Sequence, residues 1–240
     1  MGNKKQCLII TATIDPNSNF VSQSNLKERR NEYLEALKYY VNIFKGDIYF
    51  AENSNYDFEE DKEFKVLFEL NHVFSLAFSK SPEIEKGKGY QEFAVLDAIV
   101  LKLEKQYDEF IKVSGRYVTA NFEKLIQQTN KGIIIDRHQK KKIAITSFFR
   151  CKMNFYQSHL TSCYQKVNDG KGVFIEHIVY DKLNNLDINL MNLFFENPIY
   201  KGVSGSYGGD LNRHHLKMKI RNIERKFLKL MKIKKFIVEY

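Results

Sequence analysis

Four polar clusters stand directly behind apolar, β-branched runs, and they hold most of the side chains able to do chemistry. Thr11, Thr13 and Asp15 follow QCLII. Glu52, Asn53 and Ser54 follow DIYFA. Ser114, Gly115, Arg116 and Tyr117 follow EFIKV, a run with its own internal lysine, Lys112. Asp136, Arg137 and His138 follow GIII. Hydroxyls, carboxamides and cations in this mixture suit a polar ligand that carries anionic groups. Lys112 and Arg116 offer phosphate a point charge and a planar fork, and Gly115 allows a backbone to approach closely. The alternative reading is a lysine that snorkels to solvent and an arginine paired with a carboxylate.

Proton transfer needs a different kind of residue. Glu176 and His177 lie inside VFIEHIVY, where an ionisable group is costly unless it is paired or functional. Read as a strand, this run sends the two side chains to opposite faces. A carboxylate in an apolar wall can have a raised pKa and serve as general base, so Glu176 is a candidate and Asp136 its rival. A structural Glu bonded to an arginine or to backbone N–H groups fits Glu176 as well. The loop KGKGYQEF places Lys88 and two glycines before a helix, a setting that binds anions, but it lacks P-loop spacing. The glycine-rich KGVSGSYGGD, with Gly205, Ser206 and Tyr207, has the composition of a lid. His214 and His215 have no third ligand at metal spacing.

The elements that must position these groups alternate. Strands are expected at 6–14, at DIYFAEN, at DEFIKVSGRYV and at KGIIIDRHQ. Helices are expected at 25–44, where Leu26, Tyr33, Leu37, Tyr40 and Phe44 recur at helical steps, at 91–105, and over NFEKLIQQT. LNHVFSLAFS fits either type. Strand–helix alternation predicts an α/β fold, a Rossmann-like, mostly parallel sheet flanked by helices. The polar clusters would then share the carboxyl edge of the sheet, where such folds bind ligands.

Composition sets the outer bounds. A chain of 240 residues with 43% hydrophobic side chains can bury a full core. Cys7, Cys151 and Cys163 are too few and scattered for a disulfide framework, so a reducing cytosol is the default. The net charge of +9 is concentrated: residues 213–235 carry ten Lys/Arg and one Glu, and the remainder is balanced at 28 of each sign. The division predicts one α/β domain over 1–212 and a basic tail over 213–240. In the tail, Leu216, Ile220, Ile223 and Phe227 fall on one helical face, while Lys217, Arg221, Arg225 and Lys229 cover the rest. Such a C-terminal basic amphipathic helix is expected on an anionic membrane surface. Nucleic acid is the alternative partner, with the chain then a non-catalytic module; a neutral body counts against it. A core-packed helix with a solvated basic face also fits.

Taken together, the Thr-x-Thr-x-Asp loop, RRNEYLEAL, IYFAENS, KGKGYQEF, YDEFIKVSGRY, VFIEHIVY and GVSGSYG resemble small bacterial glycosyltransferases of capsule and lipopolysaccharide O-antigen loci, with a GT-A-like fold. The resemblance spans roughly residues 6–210. It implies a nucleotide-sugar donor over the strand ends, held by the first loop and the Glu52-Asn53-Ser54 turn. It implies a sugar hydroxyl on a lipid-linked glycan as acceptor, with His177 and the Gly205–Tyr207 loop on the acceptor or lid side. It also implies a peripheral location on the cytoplasmic face of the membrane. GT-A enzymes commonly hold Mg or Mn on Asp-x-Asp after a central strand. This chain has no Asp-x-Asp, and FIKVSGRY takes the comparable place. No cofactor is therefore firmly implied, and Lys112 and Arg116 stand as substitutes for the metal.

Overall fold

The computed structural model describes residues 5–16, 25–79, 82–201, 222, 223 and 225. The expected lid residues Gly205, Ser206 and Tyr207, and the expected membrane residues Lys217, Arg221, Phe227 and Lys229, lie outside the described residues.

The first half builds the parallel part of the sheet. Strand β1 (Gln6–Ala12) is followed by α1 (Leu26–Ile43), β2 (Asp47–Glu52), α2 (Lys62–Phe68), β3 (Val73–Ala77), α3 (Lys88–Leu103) and β4 (Glu109–Ser114). Asn25 caps α1 by accepting hydrogen bonds from the N–H groups of Lys27 and Glu28. The run LNHVFSLAFS resolves as β3. Helix α3 starts three residues before the expected position, because Gly87 takes φ +97° and the Asp169 carboxylate accepts from the Lys88 N–H.

The second half is less regular. It comprises β5 (Val118–Thr119), α4 (Phe122–Ile126), β6 (Ile133–Ile134), β7 (Arg137–His138), β8 (Ile143–Ala144), β9 (Phe148–Lys152), α5 (Met153–His159), α6 (Ile175–Asn184), β10 (Met191–Asn192) and β11 (Tyr200–Lys201). One expectation changes here, and one open segment is assigned. KGIIIDRHQ is not one strand: β6 ends at Ile134, and Arg137-His138 leave the main sheet to pair with β8. VFIEHIVY is not a strand: Ile175, Ile178, Val179 and Leu183 are buried at three- to four-residue steps along α6.

The main sheet has the order β10-β6-β9-β4-β1-β2-β3. All neighbours pair in parallel except those of β9, which runs antiparallel to β4 and to β6. The sheet is thus mixed α/β and mostly parallel, with helices on both faces. Alternation along β1 shows the two layers. Cys7 and Ile9 pack with α3, α5 and α6, whereas Leu8 and Ile10 pack with α1, α2 and α4. Burial on both faces is why these strands read as unbroken apolar runs.

The order β3-β2-β1-β4 reverses direction between β1 and β4, the switch point of a doubly wound sheet. There Gly115 lies against β1, its N–H donating to the Thr11 carbonyl at 2.8 Å. A Cβ on Gly115 would sit 2.8 Å from Ile10 Cγ2, 2.9 Å from the Thr11 carbonyl oxygen and 2.9 Å from the Tyr33 ring. The close approach this glycine permits is between β4 and β1, not between backbone and ligand. Gly115→Ala is therefore expected to lower stability by roughly 1–3 kcal/mol, read as a reduced urea midpoint at unchanged m-value. An unchanged midpoint would contradict this packing.

Candidate active site

Alternation along β4 sends Lys112 to the same face as Ile9 and Thr11, beneath α3. Its ammonium is fully buried and ion-paired with Glu92 at 2.6 Å. It also donates to Ser114 Oγ at 2.9 Å and to the Thr146 carbonyl at 2.8 Å. A lysine has three N–H donors, and all three are used. Lys112 thus has no donor left for a phosphate, contrary to its expected role, and neither reading from sequence placed its partner on α3. Glu92, within KGKGYQEF, is not among the residues expected at the site from sequence. The available signal was a carboxylate one residue before Phe93, on the buried side of an apolar helix.

Glu92 Oε1 collects the whole cluster, accepting from Thr11 Oγ1 at 2.5 Å, from Lys112 and from Ser114 Oγ at 3.1 Å. Burial pushes its carboxyl up, but the adjacent ammonium and these hydrogen bonds bring it below the ordinary glutamate range, so it stays ionised. Glu176 behaves in the opposite way. It occupies the first turn of α6, where burial raises its carboxyl above the ordinary range; its backbone N–H offsets part of this, and the negative charge of Glu92 adds to it. Two carboxyl groups with opposed environments therefore lie close enough for their charges to interact, a combination that separates acid–base roles.

The loops after β1 and β2 are tied together. Glu52 is fully buried. It accepts from the Ile14 N–H at 3.0 Å, from Ser54 Oγ, and from the N–H groups of Ser54 and Tyr56 at 2.8 and 3.2 Å. Four acceptor positions are thereby filled, and Glu52 shapes the loop instead of contacting a ligand. Thr13 Oγ1 donates to Asn53 Oδ1 at 2.6 Å, and the Asp15 N–H donates to Ser54 Oγ at 2.8 Å. Arg29 fastens the same loop from α1, donating to the carbonyls of Thr13 and Ile14. Asn53 remains at the surface of a crevice of about 160 Å³, with Phe78, Ser79, Gln91, Ala94 and Val95. A larger recess of about 470 Å³ lies between α1 and α2. Its arginine, Arg30, is already bound to Asp61 and Glu63, so the candidate site is placed at the switch point.

Arg116 keeps donors in reserve. Its Nε donates to Glu32 at 2.6 Å, while Nη2 is buried with no hydrogen-bond partner. An orphaned guanidinium nitrogen is costly and asks for an anion or carbonyl. Tyr117 closes the turn, its N–H donating to the Ser114 carbonyl at 3.1 Å and its carbonyl accepting from Tyr40. Lys88 is exposed at the start of α3, where the nearby carboxylate of Asp169 already serves the N-terminus. His177 is half-buried beside the Phe174 ring.

Asp136 is brought elsewhere. It is buried, and both its oxygens accept from Arg225, at 2.9 and 2.8 Å. The Phe194 N–H donates to Oδ1 as well. A carboxylate held in this way is a structural anchor, which removes its case as a base. Arg225, expected on the membrane face of the tail, points inward to this pair. Among the described residues, no three His, Cys, Asp or Glu side chains cluster as a metal site. Among the described residues, no helix is long and apolar enough to cross a membrane. The three cysteines are free and buried.

No family profile and no curated protein sequence matches the chain. Among solved structures, it is similar to a protein from Desulfovibrio desulfuricans G20 described as a nucleotide-diphospho-sugar transferase, with TM-score 0.47, 10% identity and 76% of each chain covered. It is also similar to 4-diphosphocytidyl-2C-methyl-D-erythritol synthase from Anaerococcus prevotii, with TM-score 0.45, 13% identity, and 93% of this chain and 96% of the other covered. At these values neither likeness bears on ligand or reaction.

The buried pair gives a test. Lys112→Met strands Glu92 in a desolvated cluster and is expected to cost roughly 3–5 kcal/mol. Adding Glu92→Gln removes the stranded charge and should recover at least half of that loss, as read by urea unfolding. Additive losses in the double variant would mean that the two side chains are not coupled.

Proposed function

We propose that this chain is a glycosyltransferase that moves a sugar from a nucleotide-sugar donor to a hydroxyl of a glycan acceptor. The observation that carries the reading is the placement of Glu176. It sits in the first turn of α6, where burial raises its proton affinity, close enough to the ionised Glu92 of the switch-point cluster for the two charges to interact. Such a group is suited to take a proton from an alcohol as the alcohol attacks. In the proposed step, the acceptor oxygen bonds to the anomeric carbon and its proton passes to Glu176. The bond from the anomeric carbon to the phosphate oxygen breaks, and the electron pair leaves with the nucleoside phosphate. Arg116, with its unsatisfied Nη2, supplies the positive charge that this leaving group needs. Lys112 acts one layer below, holding Glu92, Ser114 and the end of β4 in place.

The finer reading places the acceptor on a lipid-linked surface polysaccharide and the enzyme at the cytoplasmic membrane face. The cationic tail of residues 213–235 supports it.

Turnover is best assayed as nucleoside phosphate release from UDP-, GDP-, CMP- and dTDP-sugars. Glu176→Gln is expected to lower kcat/KM by roughly 10²–10⁴-fold with the fold intact. Arg116→Ala is expected to lower it by roughly 10–100-fold. Because the Glu176 carboxyl is raised and must be ionised to act, activity should fall as pH drops through a value above the ordinary glutamate pKa. In Glu176→Gln this acid limb should vanish. Absence of both turnover and binding with every donor would overturn the reading.

A further inference from the structure

Lys112 was expected to make the switch point cationic. The structure gives it the opposite polarity. The ammonium is sealed in, with all its donors used, and the Glu92 side chain that meets it is a quarter exposed. Its Oε1 is occupied by Thr11, Lys112 and Ser114. Its Oε2 takes no hydrogen bond among the described residues.

A carboxylate oxygen accepts hydrogen bonds and repels phosphate. Its two lone pairs can take both hydroxyls of a vicinal diol. We infer that Glu92 Oε2 is the specificity-determining acceptor for a diol of the bound ligand, and that phosphate lies away from it, on the Arg116 side. The inference rests on the nucleotide-sugar reading of this site, and it names which part of such a ligand meets α3. The diol has two possible sources, the ribose of the nucleotide or the sugar being transferred, and both present the same chemistry to Glu92. The Lys112 pair has a purpose under this reading. It favours the ionised form of Glu92, and so a pure acceptor, and it occupies Oε1 so that Oε2 is the oxygen left to accept.

Isothermal titration with UDP, GDP and CMP, their 2′-deoxy counterparts, and the matching UDP-, GDP- and CMP-sugars separates the cases. Wild type is compared with Glu92→Gln and with Lys112→Met/Glu92→Gln. The paired variant guards against loss of the fold, because it removes the buried charge together with its partner. If the diol is ribose, wild type should prefer the ribonucleotide over its 2′-deoxy form by roughly tenfold or more, and the variants should lose that preference. If the diol belongs to the transferred sugar, the variants should bind nucleotides as wild type does but nucleotide-sugars roughly tenfold more weakly. Either pattern supports the inference. A folded paired variant with wild-type affinity for nucleotides and nucleotide-sugars alike, and wild-type preference between ribo- and deoxy-forms, overturns it while leaving the glycosyltransferase reading intact. Failure of wild type to bind any of these ligands overturns both.

Discussion

The ion pair between Lys112 and Glu92 sets the geometry of the carboxyl edge. A fully buried ammonium on a central strand is tolerable only if a carboxylate and further acceptors meet it. That requirement fixes the rotation and height of α3 over β1 and β4. A slip of α3 by one residue would carry Glu92 about 100° around the helix and leave both charges stranded. The constraint then passes outward. Gly89, one turn earlier on α3, lies against Ile175, where a Cβ would come within 2.7 Å of Ile175 Cγ2. Ile175 is the first residue of α6 and Glu176 is the second. The position of the candidate base is thus traceable to a lysine in the middle of a strand.

The same pair changes the electrostatic picture of the site. Lys112 and Glu92 cancel, so the switch point offers hydroxyls and one carboxylate oxygen. Positive charge comes from the neighbouring turn, where Arg116 is held by Glu32 and lies close enough to Arg29 for the two guanidinium groups to repel one another. Tying the loop after β1 to the loop after β2 through Glu52, Asn53 and Arg29 gives this edge a rigid floor. Rigid support of this kind is what keeps reacting groups aligned.

How far the sequence could be read depends on distance along the chain. Elements set by local pattern were legible: β1, β2, β4 and α1 fall within a few residues of their expected limits, and Gly46 stands just past the end of α1. VFIEHIVY leaves strand and helix open by local pattern because it combines β-branched residues with two ionisable ones. The helical spacing of Ile175, Ile178, Val179 and Leu183 was the better guide. Partners were not legible at all. Arg116 meets Glu32 across 84 positions, Asp136 meets Arg225 across 89, and Lys112 meets Glu92 across 20. No local pattern encodes such pairings. The antiparallel insertion of β9 between β4 and β6 was hidden for the same reason. Asp136 and Glu52 looked like ligand-binding carboxylates because they follow strands; their hydrogen bonds are spent within the protein.

The most direct test of the account is a crystal structure of the chain with a bound nucleoside diphosphate or nucleotide-sugar. The account predicts the ligand over the carboxyl ends of β1 and β4, with a phosphate oxygen within hydrogen-bond distance of Arg116 Nη2 and a ligand hydroxyl on Glu92 Oε2. A ligand seated in the recess between α1 and α2, or a phosphate resting on Glu92, would contradict it.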